Sequence, residues 1–297
     1  LCLVLAFAGF AWAYRGAGRW GLVLFYGALG LSTMAKDVLG AVGPLGVVVL
    51  FFVLTRERPL APWFPWWGVL VAAGLAVPWY LAVESRHRGF LWYTVVDNHV
   101  LNFTRQRVFP DEDVPLGALE FLAVTVLAFL PWALALPWAF ARAVRRPWKD
   151  ANDRLWLLFA LWALAVVGFF TISPFKLPHY ALPAFPALAL LAARVWEEAI
   201  EAAPGAPRPR VLLVPLLVLF ALLAAAFAAA RLGVLPLPPD VLTAVDVPSR
   251  NLAARGQPLV SGPAGPYEPV LLNATLVFGL AALAMAVAVW RRAPALG

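Results

Sequence analysis

The sequence is poor in charge and in the residues that many soluble enzymes use for chemistry. Only 13% of its 297 residues carry a charge, three are histidine and one is cysteine. Cys2 lies in an apolar run and makes no intrachain disulfide, so cysteine usage indicates no redox compartment. No Ser-His-Asp order, paired-cysteine site, HExxH motif or nucleotide-binding glycine motif occurs. The signatures of common hydrolases, zinc proteases and nucleotide-binding proteins are therefore excluded.

Apolar residues make up 63% of the chain, and the mean hydropathy is +0.82. A helix needs about 20 apolar residues to cross a bilayer. Alternating strand patterns are absent, so helices are the expected spanning form. We predict an all-α, polytopic transmembrane helix bundle that forms a single transmembrane domain over residues 1–297. Its nine apolar segments lie near 1–13, 20–35, 40–54, 65–83, 116–138, 154–172, 180–196, 211–230 and 269–290.

The net charge of +7 is dispersed over short connections, so it does not indicate binding of nucleic acid. Fourteen of the 23 basic residues lie in or beside one alternate set of connections. The positive-inside bias places that set in the cytoplasm. The set comprises 14–19, 55–64, 142–153, 197–210 and the tail from 291. Low lysine and high arginine are typical of a GC-rich bacterial genome, so we expect a multi-pass protein of the bacterial inner membrane.

Two of the outer, periplasmic connections are long. Residues 84–115 are mixed in charge and aromatic, and GFLWYTVVDNHVLNF within them is expected to form a helix along the membrane interface. Trp92 and Tyr93 would then lie at headgroup level. Residues 231–268 are rich in Pro and Gly, which predicts an irregular outer loop.

The lysines and histidines that could do chemistry all fall on this outer side, where basic groups need a reason beyond topology. They suggest a site that handles an anion. Lys36 and Asp37 lie in GLSTMAKDVLGAVGP, between two short helices. They could form an ordinary self-paired polar turn, or Lys36 could hold a phosphate as a point charge.

Asp97 and His99 lie in VVDNHVLNFTRQR, with Arg105 nearby. A histidine beside a carboxylate could be a metal ligand, a general base or a substrate contact. A lone histidine of this kind is more often a surface or capping residue. A divalent metal at His99 is thus one possible cofactor, and the sequence indicates no other.

Lys176 lies in TISPFKLPHYALPAFPAL, where one predicted helix ends and the next begins. Its side chain could simply snorkel to the interface. Snorkelling, however, does not require the flanking Pro174 and Pro178 or the Tyr180 that follows.

These motifs resemble those of the multi-spanning glycosyltransferases that use lipid-linked sugars, a superfamily that includes protein O-mannosyltransferases and aminoarabinose transferases. The resemblance covers most of residues 20–196. LSTMAKDVLGAVGP occupies the place of a T-K-G-P-like turn, and Pro78-Trp79-Tyr80 matches a P-W-Y helix end. Asn98 through Phe103 matches N-H-x-x-R-F. Ser173 through Pro186 matches S-K-L-P-x-Y-x-L-P-x-x-P, with Pro174 and Phe175 inserted before Lys176.

The resemblance implies transfer of a sugar from a membrane-embedded polyprenyl phosphate to an acceptor hydroxyl, on a lipid, a glycan or a protein, at the outer face. It implies binding of the lipid phosphate or substrate by Lys36, Asp37, Asp97, His99, Arg105, Lys176 and Tyr180. His87 has no motif around it, and His179 occupies a variable place.

Two departures from the family pattern matter. Asn102 replaces the family's arginine, so its phosphate role would pass to Arg105. The family's catalytic aspartate lies in the first outer loop, which this chain does not contain; we therefore expect the base upstream of Leu1. A transporter or flippase for a lipid-linked substrate is the alternative, although it should show internal repeats and mid-membrane polar residues. A non-catalytic membrane scaffold is a third hypothesis.

Overall fold

The structure, a computed structural model, describes residues 1–35, 37–109, 113–145, 148, 150–235, 247–257 and 268–291. Within these ranges the regular structure is helical and contains no strand, which confirms the all-α prediction. The α-helices are α1 (Cys2–Trp12), α2 (Arg19–Ala35), α3 (Leu39–Thr55), α4 (Trp66–Arg86), α5 (Phe90–Trp92), α6 (Asn102–Thr104), α7 (Ala118–Ala128), α8 (Leu136–Val144), α9 (Ala151–Ile172), α10 (Phe185–Ile200), α11 (Pro209–Arg231), α12 (Val247–Ala254) and α13 (Glu268–Arg291).

Shorter helical turns extend several of these helices. A π-helical stretch, Tyr93–Leu101, joins α5 to α6, so that residues 90–104 form one continuous helical segment. This is the place where the sequence predicts a helix in the first outer loop. Pro178–Ala184 form a 3-10 helix that leads into α10. Three further turns are Ala13–Ala17 (π), Ala61–Trp63 (3-10) and Trp132–Ala135 (3-10).

The described helices include four that are long and apolar enough to cross a membrane: the turn Ala61–Trp63 together with α4, α9, α11 and α13. A fifth span is formed if Ala118–Ala128 and Trp132–Val144 act as one pair, although they are bent by 102° at the break. The bend falls at Pro131, which has no N–H to continue the helix. The predicted segment 116–138 is therefore not one straight helix. The chain is a membrane protein, and the predicted total of nine spans is not confirmed.

By its internal contacts the chain divides into two compact units. The first comprises Leu1–Asp111, Pro115–Leu122 and Phe140–Leu191. The second comprises Glu112–Val114, Ala123–Ala139 and Ala192–Gly297. The single transmembrane domain expected over 1–297 stays a prediction.

In the first unit, α2 is central and packs against α1, α3 and α4, while α9 packs against α3 and the Pro178–Ala184 turn. Aromatic rings fill this core: Phe7 stacks on Trp162 with ring centroids 4.4 Å apart. Polar groups close one end of it. Arg154 Nη1 donates to Glu57 Oε2 at 2.7 Å, and the Tyr14 hydroxyl donates to the same oxygen at 3.0 Å.

In the second unit, α11 and α13 pack side by side. Phe278 stacks on Phe227 with centroids 5.6 Å apart. The short helix α12 is tied to the start of the unit by Asn251, whose Oδ1 accepts the Val114 N–H at 3.0 Å. Its Nδ2 donates to Asp113 Oδ1 at 2.8 Å. The loop 231–268 thus contains an ordered helix, although residues 236–246 and 258–267 lie outside the described part.

The close packing of α2 on α4 depends on Gly30. A Cβ added there would lie 2.7 Å from the Ala72 carbonyl oxygen. We predict that Gly30→Ala lowers the thermal unfolding midpoint in detergent, because overpacking costs about 1–3 kcal/mol. Gly27→Ala in the same helix is the control, since a Cβ there meets nothing within 4 Å. Equal midpoints for the two variants would contradict the α2–α4 contact.

Candidate functional site

His99 and Asp37 meet although 62 positions separate them in the sequence. His99 Nε2 lies 3.4 Å from Asp37 Oδ1, and the Asp37 side chain is only 2% exposed. Asp37 lies just before α3, and its Oδ1 also accepts the Leu39 N–H at 2.9 Å, which gives a partner to a backbone donor at the start of the helix. The helical segment 90–104 is thereby brought against the turn between α2 and α3.

Aromatic side chains hold this segment in place. Phe90 packs on Tyr80 of α4 with ring centroids 5.9 Å apart. Phe103, at the other end of the segment, packs on Phe169 of α9 at 5.7 Å. The Tyr80 hydroxyl donates to the Thr33 carbonyl at 3.0 Å, which links α4 to the end of α2. The P-W-Y motif therefore supports the site through its tyrosine.

Asp97 is completely buried. Its Oδ1 accepts the Val108 N–H at 2.6 Å, and its Oδ2 accepts from Arg107 Nε at 3.3 Å. Both carboxylate oxygens are thus engaged by the stretch that follows the helical segment. This geometry favours a supporting role for Asp97, and direct substrate binding by Asp97 stays a prediction.

Arg105 ends the helical segment in a left-handed conformation, with φ 58°. The Gln106 N–H donates to the Leu101 carbonyl at 2.8 Å, and the Arg105 N–H donates to the Asn102 carbonyl at 3.2 Å. These two bonds form a Schellman motif, which usually has glycine at the left-handed position. The Arg105 side chain itself is exposed.

Lys176 follows α9 in a short extended stretch. Its side chain is 5% exposed, and Nζ donates to the Ser173 carbonyl at 2.6 Å. Ser173 Oγ in turn donates to the Phe175 carbonyl at 2.9 Å, so Pro174 and Phe175 form a tight turn that brings Lys176 back towards Ser173. The Lys176 carbonyl accepts the Leu116 N–H at 2.9 Å. This bond fixes the backbone position of Lys176.

Lys176 and Arg105 lie close enough for their charges to act on each other. Burial lowers the pKa of the Lys176 ammonium, and the positive charge of Arg105 lowers it further. Among the described residues no carboxylate forms an ion pair with either cation. Two cations that act on each other without an acidic partner are the arrangement expected where an anion binds.

The remaining predicted residues fall in different places. Tyr180 packs on Phe170 with centroids 4.8 Å apart, so its ring supports the turn that carries Lys176. His179 and His87 are both exposed. Lys36 lies outside the described residues. The structure thus brings His99 to Asp37, and the positive charge of Arg105 acts on Lys176.

Sequence reasoning missed two supporting residues, Arg107 and Ser173. The sequence assigns no role to Arg107, and it marks Ser173 only as the start of a motif. The burial of Asp97 within a polar stretch is the feature that requires a partner such as Arg107. The sequence offers no comparable signal for the carbonyl of Ser173.

A possible metal at His99 would find two candidate ligands, His99 and Asp37. Within the described ranges no group of three or more His, Cys, Asp or Glu side chains gathers. Catalytic metal sites commonly use three protein ligands. A divalent ion at this position would therefore complete its coordination with oxygen atoms of water or substrate.

Comparison with known proteins finds relatives that share one name among the curated sequences. No protein-family model matches the chain. An undecaprenyl phosphate-alpha-4-amino-4-deoxy-L-arabinose arabinosyl transferase of Serratia proteamaculans is 30% identical over 184 residues, 61% of this chain and 32% of that protein. Arabinosyl transferase 2 of the same type from Pseudomonas fluorescens is 28% identical over 178 residues, 60% of this chain and 29% of that protein. The chain thus covers about a third of the length of these curated relatives.

Solved structures extend the likeness over nearly the whole chain. The crystal structure of ArnT from Cupriavidus metallidurans bound to undecaprenyl phosphate has a TM-score of 0.64 at 23% identity, covering 97% of this chain and 46% of that one. The apo structure of that protein gives a TM-score of 0.60 at 21% identity, with 98% and 52% covered. These identities establish a shared fold. The chain is thus similar in sequence to these arabinosyl transferases and similar in fold to ArnT, which agrees with the resemblance predicted from its motifs.

Proposed function

We propose that this chain is part of an integral-membrane glycosyltransferase that moves a sugar from a polyprenyl phosphate to an acceptor hydroxyl. One observation carries the proposal: the Lys176 ammonium is buried, bonds a backbone carbonyl and has no acidic partner among the described residues. The exposed Arg105 adds a second positive charge that acts on it. The related arabinosyl transferases are named for an undecaprenyl phosphate substrate, which supports a lipid-linked phosphate as the anion. The matched proteins lend no support to the transporter alternative.

The chemistry assigns a task to each group. The acceptor oxygen forms a bond to the anomeric carbon while the bond from that carbon to the phosphate oxygen breaks. The acceptor proton passes to a carboxylate base, and the polyprenyl phosphate leaves with the bonding electron pair. Lys176 and Arg105 stabilise the charge that develops on this phosphate. An ammonium has three N–H donors, and Ser173 takes one of them.

His99 would contact the substrate beside this phosphate, and Asp37 would hold its ring. The imidazole Nε2 faces the Asp37 carboxylate, and a carboxylate in that position fixes the orientation of a histidine. We assign Lys36 to the same phosphate by its motif alone. The acceptor stays open among lipid, glycan and protein hydroxyls.

We further propose that the site faces the periplasm across a bacterial inner membrane and that nine segments cross it. Helix α3 has 17 residues and is about 25 Å long, slightly less than the roughly 30 Å hydrocarbon core. It could cross where the bilayer thins or flanking side chains snorkel. Trp92 and Tyr93 are 44% and 37% exposed, which supports placing the helical segment 90–104 at the headgroup level.

Loss of either cation should weaken binding of a polyprenyl phosphate. Charge-assisted hydrogen bonds contribute about 1.5–3 kcal/mol each, so Arg105→Ala and Lys176→Met should each reduce affinity about 10- to 100-fold. Affinity would be measured by native mass spectrometry of the purified protein with undecaprenyl phosphate. Arg88→Ala, in the same outer connection and also exposed, should bind like the wild type. Unchanged affinity in both site variants, with folding intact, would refute the phosphate site.

The pH dependence of binding should show the lowered pKa of Lys176. A lysine with a lowered pKa loses its positive charge at a lower pH than usual. As the pH is raised, binding should therefore begin to decline before pH 10.5, the ordinary lysine value, is reached. The lipid phosphate is already fully ionised above about pH 8, so its own charge does not change there. Lys176→Arg should keep binding to higher pH, because a guanidinium stays charged. Identical alkaline declines in both proteins would show that Lys176 is not the titrating group.

A further inference from the structure

The Asp97 carboxylate forms hydrogen bonds with the residues that follow Arg105 in the sequence. The carboxylate lies in the helical segment 90–104, and its two oxygens bond Arg107 and Val108, ten and eleven residues later. The carboxylate is fully buried, and the Arg107 side chain is 8% exposed. The short stretch between these anchors, which contains Arg105, is therefore closed into a loop by an internal ion pair and a backbone bond.

Arg105 adopts a conformation that this loop must maintain. Its φ of 58° lies in the left-handed region, which an L side chain with a Cβ rarely adopts. Such a residue persists where surrounding contacts determine its conformation, and it often marks a functional site. Two sets of contacts do so here. The Schellman bonds tie Arg105 and Gln106 to the preceding helical turn, and the Asp97 carboxylate bonds Arg107 and Val108, which follow.

We infer that Asp97 is a positioning residue that fixes Arg105 through its bonds to Arg107 and Val108. The inference rests on the proposed function and deepens it, because it explains how an exposed arginine on a loop becomes a fixed part of the phosphate site. Preorganised cations stabilise developing charge better than mobile ones, since they need no rearrangement during the reaction.

The same geometry argues against two other roles for Asp97. A general base needs an oxygen within reach of the acceptor proton, and a direct ligand contact needs accessible surface. Asp97 has no exposed surface, and each of its oxygens is already bonded to the loop. It acts on the substrate only through the cation that it places.

The test reads the Lys176 ammonium directly, without any ligand. The chain has three lysines, Lys36, Lys149 and Lys176. ¹³Cε-lysine labelling of the whole protein therefore gives few resonances, and Lys176→Arg assigns the relevant one. Because Arg105 lowers the pKa of Lys176, Arg105→Ala should raise that pKa towards 10.5. Asp97→Asn should raise it as well, since it removes the ion pair while keeping the side-chain shape.

A double variant that combines Asp97→Asn with Arg105→Ala shows whether Asp97 acts on Lys176 through Arg105. If Asp97 works by placing Arg105, Asp97→Asn should shift the pKa no further once Arg105 is alanine. Asp150→Asn is the matched control: it alters an aspartate that accepts a backbone N–H at the start of α9, and it should leave Lys176 unchanged. An unmoved Lys176 pKa in Asp97→Asn, or additive shifts in the double variant, would overturn the inference.

Binding of undecaprenyl phosphate by the same variants separates this inference from the proposed function. Asp97→Asn should weaken binding about two- to tenfold, and no further when combined with Arg105→Ala. If the wild type does not bind the lipid, the proposed function fails, whereas the lysine titration still decides whether Asp97 positions Arg105.

Discussion

The site depends on a buried lysine ammonium that also experiences the positive charge of an arginine. Burying a charge without a counter-charge is costly, and here a second positive charge adds to the cost. A fold keeps such an arrangement when something supplies the missing negative charge, and a phosphate does so with several acceptor oxygens. The Lys176–Arg105 pair therefore explains why the surrounding segments are held as firmly as they are.

Each cation is held by a different device. Lys176 lies in a proline-flanked turn, where the Ser173 carbonyl accepts a bond from its ammonium and the Leu116 N–H bonds its own carbonyl. Arg105 stands on a loop that Asp97 closes. Lys176 is thus held by local backbone geometry next to α9, and Arg105 by a buried ion pair. The two charges are thus carried by elements that lie far apart in the sequence.

Much of the fold could be predicted from the sequence, because apolar runs and the hydrogen-bonding demand of a bilayer leave helices as the spanning form. The proline-flanked Lys176 and the His99 motif could be identified from their local residue patterns. The pairing of His99 with Asp37 could not be predicted, since it depends on how α2, α3 and the segment 90–104 pack. The π-helical register of Tyr93–Leu101 also differs from the 3.6-residue period that sequence patterns assume.

Photo-crosslinking would test directly whether a lipid phosphate binds at Lys176 and Arg105, because it shows where the phosphate lies on the protein. Undecaprenyl phosphate carrying a photoreactive group beside the phosphate would be irradiated with the membrane-embedded protein, and the labelled peptides identified by mass spectrometry. The account predicts labels in 102–108 and 173–180, and competition by unmodified undecaprenyl phosphate. Labels confined to the arginine-rich connections, such as 55–64 and 197–210, would contradict it.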